Sequence, residues 1–441
     1  MDRIETTEHV WKFNCCTGCG SCVGICPTGA LQMRKHAGKG LYIPSLVNRE
    51  NCSKCGFCSE VCPRLHPNLR ELNLSVFGKL PEDNLIGNSI NFYVGHSTNM
   101  KIRQNAASGG LATSLLIFAL EMGIIDGAVV VKMKKNDPLE PEIFVAKTAE
   151  EVISACKSKY CPVPSCIAIK DILREKGKFA VVGLPCHIHG FRKAEAVNDK
   201  LKAKIVFHLG LFCSHTANFL GTSFLIEKMG CKCEDIVRIE YRGDGWPGGM
   251  TIHLKDGTRK FLPSSVYWGH FFSQYFFTPI YCTLCNDGLN ELADLSIGDA
   301  WLPELADHTL GESMIVTRTK VGEDLLLKCV LKGNLELAKI SRNDVIRAQR
   351  EVLLYKKKRL GARMFVLKGL GKQFIGTEIG KKYRKFRLDD YLSSILTYFN
   401  IYVSSNQKLR WLLRYVSLSF FKLYKIFLNK AVNKPSAWTG D

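Results

Sequence analysis

The sequence predicts a mixed α/β protein in three parts: a small cysteine-rich N-terminal domain, a central α/β domain and a basic helical tail. Three observations carry this. Eight cysteines crowd into residues 16–62 as two runs of identical spacing. From Asn91 to about Ile340, short apolar runs alternate with helical patterns, the signature of strands and helices layered on a sheet. From Arg342 onward the composition shifts to Lys, Arg, Leu, Tyr and Phe. A chain of 441 residues with 46% hydrophobic residues buries a sizeable core, which excludes disordered, collagen-like and small disulfide-scaffold classes.

The formal net charge of +20 is not evenly spread. Residues 342–441 hold 22 Lys+Arg against 6 Asp+Glu, while the residues before them hold 39 against 35. No nucleic-acid recognition motif accompanies the charge, so nucleic acid is not expected as a partner. The start, Met1 to His9, is polar and acidic with no apolar leader, which predicts a cytoplasmic, reducing setting. There, nineteen cysteines point to metal or cluster ligation rather than disulfides. No uncharged apolar run reaches the length of a membrane span. Leu111–Val131 comes nearest, is broken by Glu121 and Asp126, and reads as helix, Gly turn and strand.

Within residues 1–75, Leu31–Leu46 reads as a hairpin turning at Gly38-Lys39-Gly40, and a linker is expected over residues 71–90. In the central domain, residues 91–340, Ala128–Met133, Lys178–Gly183 and Lys204–Leu211 read as buried strands. Ser108–Glu121, Glu150–Lys176 and Ser214–Lys228 read as helices. Ile236–Arg242 and Met250–Leu254 alternate as strands do, and Lys255-Asp-Gly-Thr is a hairpin-type turn. The tail domain is placed at 341–441.

Cys16, Cys19, Cys22 and Cys26-Pro27 have the spacing C-x2-C-x2-C-x3-C-P, and Cys52, Cys55, Cys58 and Cys62-Pro63 repeat it. Three closely spaced thiolates wrap one corner of a 4Fe–4S cube, and the cysteine before the proline reaches the other cube. This assigns Cys16, Cys19, Cys22 and Cys62 to one cluster and Cys52, Cys55, Cys58 and Cys26 to a second. Gly18, Gly20 and Gly56 let backbone N–H groups approach the sulfides. Zinc knuckles are the alternative, but zinc takes two separated cysteine pairs rather than two four-cysteine runs. The segment, residues 14–66, resembles bacterial two-cluster ferredoxins. Cys15 reads as a spare thiol.

A second cysteine set follows. Cys186 ends one predicted strand, Cys213 another, and Cys282 and Cys285 form a C-x2-C pair. Cysteines at carboxyl ends of strands lie where open α/β sheets place ligands. The four form a candidate third site, with two core cysteines plus an isolated pair as the open alternative.

Seven motifs in order then resemble the coenzyme F420 hydrogenase/dehydrogenase beta-subunit family over residues 92–320. They are Ala107-Ser108-Gly109-Gly110, Lys157-Ser158-Lys159-Tyr160, Gly183-Leu-Pro185-Cys186, Gly210-Leu-Phe-Cys213, Tyr241-Arg242 to Trp246-Pro247-Gly248, Cys282-Thr-Leu-Cys285, and Ala293-Asp294 to Asp299-Ala-Trp301. His187 departs from the pattern, in which Gln follows the Cys. The resemblance implies FAD, a third 4Fe–4S cluster on Cys186, Cys213, Cys282 and Cys285, and exchange of electrons with a second carrier. It makes Ser108, Gly109 and Gly110, ahead of an apolar helix, a candidate flavin pyrophosphate site. It likewise makes Lys157, Ser158, Tyr160, Pro185 and His187 candidate flavin contacts. Without the resemblance, Ser108 reads as a helix cap and Lys157–Tyr160 as a helix surface.

Gly243-Asp-Gly245-Trp-Pro-Gly248 matches G-x-G-x-x-G, but Pro247 interrupts it and a strand follows, so it is rejected as a dinucleotide site. His187 and His189 read as structural. Cys156, Cys161 and Cys166 have no cluster spacing, and Cys231, Cys233 and Cys329 read as ordinary thiols. Asp294 and Asp299 read as turn formers or as flavin or substrate hydrogen-bond partners.

In the tail, Arg410–Lys430 is expected to form one basic amphipathic helix. Leu412, Leu413, Val416, Phe420, Leu423, Tyr424 and Phe427 share a face, with Arg410, Arg414, Lys422 and Lys425 opposite. Tyr391–Val403 is a second apolar stretch, and Lys356–Arg359 and Lys381–Lys385 are basic runs. Residues 391–430 suit an anionic membrane surface or packing on the body or a partner subunit, and both readings stay open.

The functional expectation is an iron–sulfur flavoprotein oxidoreductase. It couples hydride transfer at FAD, with coenzyme F420 as the favoured partner, to one-electron transfer through 4Fe–4S clusters to a ferredoxin-like carrier. The alternatives are a ferredoxin-driven reductase of an organic, lipid- or glycan-linked substrate, and a non-catalytic electron-transfer subunit. No single catalytic residue is expected.

Overall fold

A computed structural model describes residue 10, residues 15–372 and residues 386–431. The basic run Lys381–Lys385 lies outside them. The N-terminal part holds the expected hairpin, β1 (Leu31–His36) and β2 (Leu41–Leu46), between two one-turn helices, Ser21–Gly24 and Phe57–Glu60. Each helix begins at the same point of its cysteine motif, after a left-handed glycine, Gly20 at φ 86° or Gly56 at φ 79°. L side chains rarely adopt that conformation, so glycine sets the turn that carries the third cysteine of each run.

The central domain is an eight-stranded mixed sheet. Its strands are β3 (Asn91–Ser97), β4 (Gly127–Met133), β5 (Pro141–Ala146), β6 (Phe179–Gly183), β7 (Ile205–Leu211), β11 (Leu295–Asp299), β12 (Ser313–Thr317) and β13 (Leu335–Lys339). They lie in the order β13-β3-β12-β11-β7-β6-β4-β5. The middle four, β11-β7-β6-β4, are parallel, and the flanking pairs are antiparallel. Alternate residues of a strand enter opposite cores. Ala128, Val130 and Ala180 pack with helices Leu111–Glu121 and Lys320–Leu331, while Val129, Phe179 and Val181 pack with helices Ile169–Arg174 and Pro185–Ala196. That second core also takes Cys19, Ile25 and Val61, so the cysteine-rich segment is built into the face of the sheet.

A separate antiparallel sheet, β8 (Ile236–Glu240), β9 (Gly249–Leu254) and β10 (Arg259–Pro263), has its own aromatic core with Phe271, Phe272, Phe276 and Phe277. The β9–β10 hairpin turns at the expected Lys255–Thr258. No helix opens at Gly243–Gly248, where a loop joins β8 to β9.

Four expectations are corrected. Residues 71–90 are not an open linker: helix Leu69–Phe77 occupies their start, and Leu72, Ile86 and Asn88 are buried. The helix expected over 150–176 is two short helices, Ala149–Ser154 and Ile169–Arg174, with a 3-10 turn at Ser165–Ala168. Pro162 and Pro164 lack the N–H a continuous helix needs, which frees Cys156–Pro164 as a loop. The helix expected from Ser214 starts at Phe219, capped by the Asn218 side chain on Gly221 N. The tail helix breaks into Gln407–Leu413 and Leu418–Ala431, with the 414–417 turn held where Arg414 Nε reaches Glu227 at 3.1 Å and Lys228 Nζ donates to Val416 O at 2.7 Å.

Candidate functional site

All nineteen cysteines are free thiols. Cys16, Cys19, Cys22 and Cys62 are mutual electrostatic neighbours, so the fold brings Cys62 to the three cysteines of the first run. Cys58 sits on helix Phe57–Glu60 and packs with Cys22 and Leu31, and Cys55 is exposed beside it. Cys52 precedes them, and Cys26 closes the first run with its thiol near Thr28. Among the described residues no three Cys, His, Asp or Glu side chains converge on a single-ion position.

The second cysteine set converges. Because β6 and β7 are adjacent and parallel, their carboxyl ends lie side by side, and Cys186 and Cys213 follow those ends. Buried Asn290 clamps them, its Nδ2 donating to Gly183 O at 2.8 Å and to Leu211 O at 3.2 Å. A Cβ on Gly210 would stand 2.5 Å from Asn290, so only glycine admits the clamp there. Cys213 N donates to Gly288 O at 2.8 Å, drawing in the loop that follows Cys282 and Cys285. The four cysteines line one cavity of about 90 Å³ together with Arg64, His189 and Lys356.

Its electrostatics set buried thiols against one buried cation. Burial pushes the Cys186 thiol well above its ordinary value and the Cys213 thiol up to about 12. Lys356 is 1% exposed, and burial alone would lower its pKa; Cys285, Cys213 and Cys282 outweigh that and raise it. Thiolates bound to iron would have this ammonium as a fixed counter-charge. His187 and His189 both face the cavity and are held neutral by burial, each near 4. Each makes a hydrogen bond to the backbone: His187 Nδ1 accepts from Leu184 N at 3.2 Å, and His189 Nε2 bonds Pro67 O at 2.6 Å.

One wall of this cavity belongs to the N-terminal segment, through Thr17, Pro63 and Arg64. Cys166 fills the junction. It is fully buried, its N donates to Cys19 O at 2.9 Å, and its Sγ lies 3.3 Å from His187 O and within hydrogen-bonding reach of the Cys19 thiol. That contact chiefly lowers the Cys19 thiol to about 6. A Cβ on Gly24 would fall 2.1 Å from Cys166 O, so the two parts pack too closely for any side chain.

The remaining motifs gather at a second place. Arg242, 5% exposed, donates to Asp299 Oδ2 at 2.9 Å, Ala107 O at 2.8 Å and Tyr160 Oη at 3.0 Å, and its Nε is buried without a partner. Trp246 Nε1 also reaches Asp299 at 3.4 Å. Lys157 pairs with Glu240 at 3.1 Å, Ser158 is half-buried beside it, and the Tyr160 ring lies tilted at 33° against Trp268, centroids 4.6 Å apart. Helix Leu111–Glu121 opens behind left-handed Gly110, not at Ser108, whose hydroxyl bonds Ser313 Oγ at 2.7 Å. Gly109 is required by close packing, since a Cβ would meet Gly95 O at 2.4 Å. Pro185 and His187 are not at this place; they line the cysteine cavity. The Lys157–Val163 loop joins the two, Tyr160 at one end and Cys161, Pro162 and Val163 in the cavity wall.

Comparison with known proteins settles the lineage. Residues 92–170 and 176–343 match the N-terminal and C-terminal domains described as coenzyme F420 hydrogenase/dehydrogenase, beta subunit. The coenzyme F420 hydrogenase subunit beta of Methanothermobacter thermautotrophicus is 32% identical over 253 residues, covering 54% of this chain and 81% of that protein. The chain belongs to the coenzyme F420 hydrogenase/dehydrogenase beta-subunit family. Residues 15–65 match a 4Fe-4S dicluster domain, so this beta-subunit-family chain is an iron–sulfur protein of an oxidoreductase family. The coenzyme F420-dependent sulfite reductase of Methanocaldococcus jannaschii is 27% identical over 367 residues, or 78% of this chain and 51% of that protein; the chain thus spans about half of it. The fold is that of a chain in the F420-reducing [NiFe] hydrogenase complex of Methanosarcina barkeri, with TM-score 0.53, 24% identity, and coverage of 67% of this chain and 99% of that one.

Several residues of this beta-subunit-family site escaped sequence reading. Lys356 was counted in a basic tail run, yet Lys356 and Lys357 are buried; only the apolar Val352-Leu-Leu-Tyr355 before them hinted at it. Cys166 carried no spacing signal. Asp294 is neither turn former nor open hydrogen-bond partner: it takes Arg192 Nη2 at 2.9 Å, His208 N at 2.7 Å and Thr319 Oγ1 at 2.8 Å.

Proposed function

We propose that the protein is an iron–sulfur flavoprotein oxidoreductase that exchanges a hydride with coenzyme F420 and single electrons with a ferredoxin-like carrier. The observation that carries the reading is the convergence of Cys186, Cys213, Cys282 and Cys285 on one cavity whose wall includes the dicluster segment. In this reading they hold a third 4Fe–4S cluster. Cys16, Cys19, Cys22 and Cys62 hold the dicluster member beside it, and Cys26, Cys52, Cys55 and Cys58 the outer one.

FAD is assigned to the place around Arg242. The donor set fits: a buried guanidinium with a free Nε, the N-terminus of helix Leu111–Glu121 and the rings of Tyr160 and Trp246. When bound, the flavin supplies the conversion between a two-electron hydride and single electrons. Arg242 and Lys157 would offset phosphate charge, and Asp299 fixes the Arg242 guanidinium. Lys356 offsets thiolate charge, and Asn290 sets the spacing of Cys186 and Cys213. Reduced coenzyme F420 gives up two electrons and two protons, which matches two one-electron carriers. The reactions named for the relatives support the substrate class.

The test is anaerobic purification with iron and flavin counts, then addition of reduced coenzyme F420 or NADH while cluster absorbance is followed. About twelve irons and one FAD, with bleaching by the deazaflavin alone, is expected. Flavin without bleaching by either donor moves the reading to the ferredoxin-driven reductase. Eight irons and no flavin leaves an electron-transfer subunit.

A further inference from the structure

Helix Leu388–Ser405 is inside out. Its face toward the body carries Asp390, Ser394, Thr397, Asn400 and Ser404, with Tyr398 and Ile401. Hydrogen bonds hold it there: Arg359 Nε donates to Asp390 Oδ1 at 3.2 Å, Asn400 Nδ2 to Gln274 O at 2.9 Å and Phe277 N to Ser404 Oγ at 2.8 Å. The outward face carries Leu388, Leu392, Ile395, Phe399 and Tyr402, each 38 to 73% exposed. Their spacing of four, three, four and three residues makes one stripe along the helix. A helix at a water-facing surface has the reverse arrangement.

The following helices continue the pattern. Trp411, Leu412 and Tyr415 are exposed. Helix Leu418–Ala431 packs inward through Phe421, edge-on to Phe271 at 4.7 Å, and through Leu428, yet also turns Phe420, Leu423, Ile426 and Phe427 outward. Tyr424 Oη donates to Asn400 Oδ1 at 2.9 Å and ties this helix to the first. Outward aromatic and aliphatic side chains gathered on neighbouring helices mark an interaction surface.

Charge decides the occupant. Residues 405–431 contain six Lys and Arg and no Asp or Glu, and Lys408 and Lys422 are exposed among the outward rings. The core of a protein–protein interface is depleted of charge. In this segment rings are interleaved with cations, of which Arg414 pairs with Glu227 of the body; the pattern matches an anionic lipid surface, where rings sit at headgroup level and ammonium groups meet phosphates. No described helix is long and apolar enough to cross a membrane, so the helices would lie along it. We propose that the outer surface of residues 388–431 seats this protein on an anionic lipid surface. The inference stands apart from the redox reading.

The test is sedimentation of the anaerobically purified full chain with vesicles of phosphatidylcholine alone or with 30% phosphatidylglycerol. Binding is expected with the anionic vesicles at least tenfold tighter than with the neutral ones, and weaker in 0.5 M salt. A variant with Phe399→Ser, Phe420→Ser, Leu423→Ser and Phe427→Ser should lose at least tenfold of it with unchanged iron content. Lys408→Glu with Lys422→Glu should weaken it at least tenfold. Equal binding to both vesicle types, or none to either, overturns the proposal even if the fourfold variant fails to fold. So does a lipid-free dimer that the fourfold variant breaks, which gives the face to a second copy.

Discussion

The two cysteine-rich regions are built on opposite principles. In the dicluster segment, eight cysteines lie within 47 residues, and the ligand pattern is local: a turn, a left-handed glycine, one turn of helix, then a proline. In the Cys186 cavity, four cysteines come from segments up to 100 residues apart, and only the pairing of β6 with β7 and the Asn290 clamp bring them together. The first site is a property of its spacing. The second is a property of the sheet, and it inherits the sheet's vulnerabilities.

The largest effect should therefore separate the two sites cleanly. Cys186→Ser or Cys282→Ser is expected to remove about four of roughly twelve irons and leave the dicluster spectrum intact. Cys55→Ser should do the converse. Iron analysis and low-temperature EPR of each variant read this directly. An unchanged iron count in Cys282→Ser would mean that the cavity holds no cluster, and the comparison above would collapse to one metal region.

How far each region was legible follows from the same difference. The hairpin, the central strands and the pairing of Cys62 with the first cysteine run followed from turn chemistry, burial runs and spacing, all local signals. What was missed depended on distant partners. Lys356 looks like any lysine in a basic run until Val345, Ile346, Ala348 and Leu353 pack on the sheet, when the run is pulled inward toward three thiols. Cys166 acquires meaning only because Gly20 and Gly24 let the N-terminal segment lie against it. The tail's hydrophobic periodicity marks helical segments, but it does not say which face meets the body. Hydrogen bonds from Asn400 and Ser404 overrode the usual inward preference of apolar side chains.

The sheet's dependence on buried polar contacts gives the next effect. Asp294 joins β11 to β7 and to the helix bearing Cys186, through His208, Arg192 and Thr319, and Glu195 takes the far side of His208. Burial opposes charge on Asp294, but Arg192 and His208 win and hold its carboxyl far below the ordinary range. Burial and Arg192 likewise oppose charge on His208, and Glu195 and Asp294 outweigh them, so its pKa is raised. Asp294→Ala strands His208 and Arg192 and should cost about 3–5 kcal/mol, read as a lower unfolding temperature by circular dichroism. The pH signs differ for the two groups. Stabilisation from Asp294 is present above about pH 4 and lost as pH falls through its depressed value. That from His208 is complete below about pH 6.5 and lost as pH rises through its raised value. Between pH 6 and 9 the wild type should lose more stability than Asp294→Ala does; parallel curves would exclude the network as the cause.

The smallest effect lies where the two regions meet. Cys166 touches Cys19 of the spacing-defined set and the helix that bears Cys186 of the topology-defined one. The one Cys166 S–H has two acceptors in reach, His187 O and the Cys19 sulfur, and turned to the sulfur it would stabilise the reduced, more negative state of a cluster there. Cys166→Ala keeps the packing nearly intact and removes that donor. The loss is about one neutral hydrogen bond, ~1 kcal/mol, equivalent to a fall of about 40 mV for one electron. Potentiometric EPR should show that shift in one dicluster signal and none in the one assigned to Cys26, Cys52, Cys55 and Cys58, since the cysteines acting on Cys166 are Cys19, Cys22 and Cys186. A shift of both dicluster signals would mean that the substitution moved the whole segment. No shift would leave Cys166 as packing between two sites that are electrically independent of it.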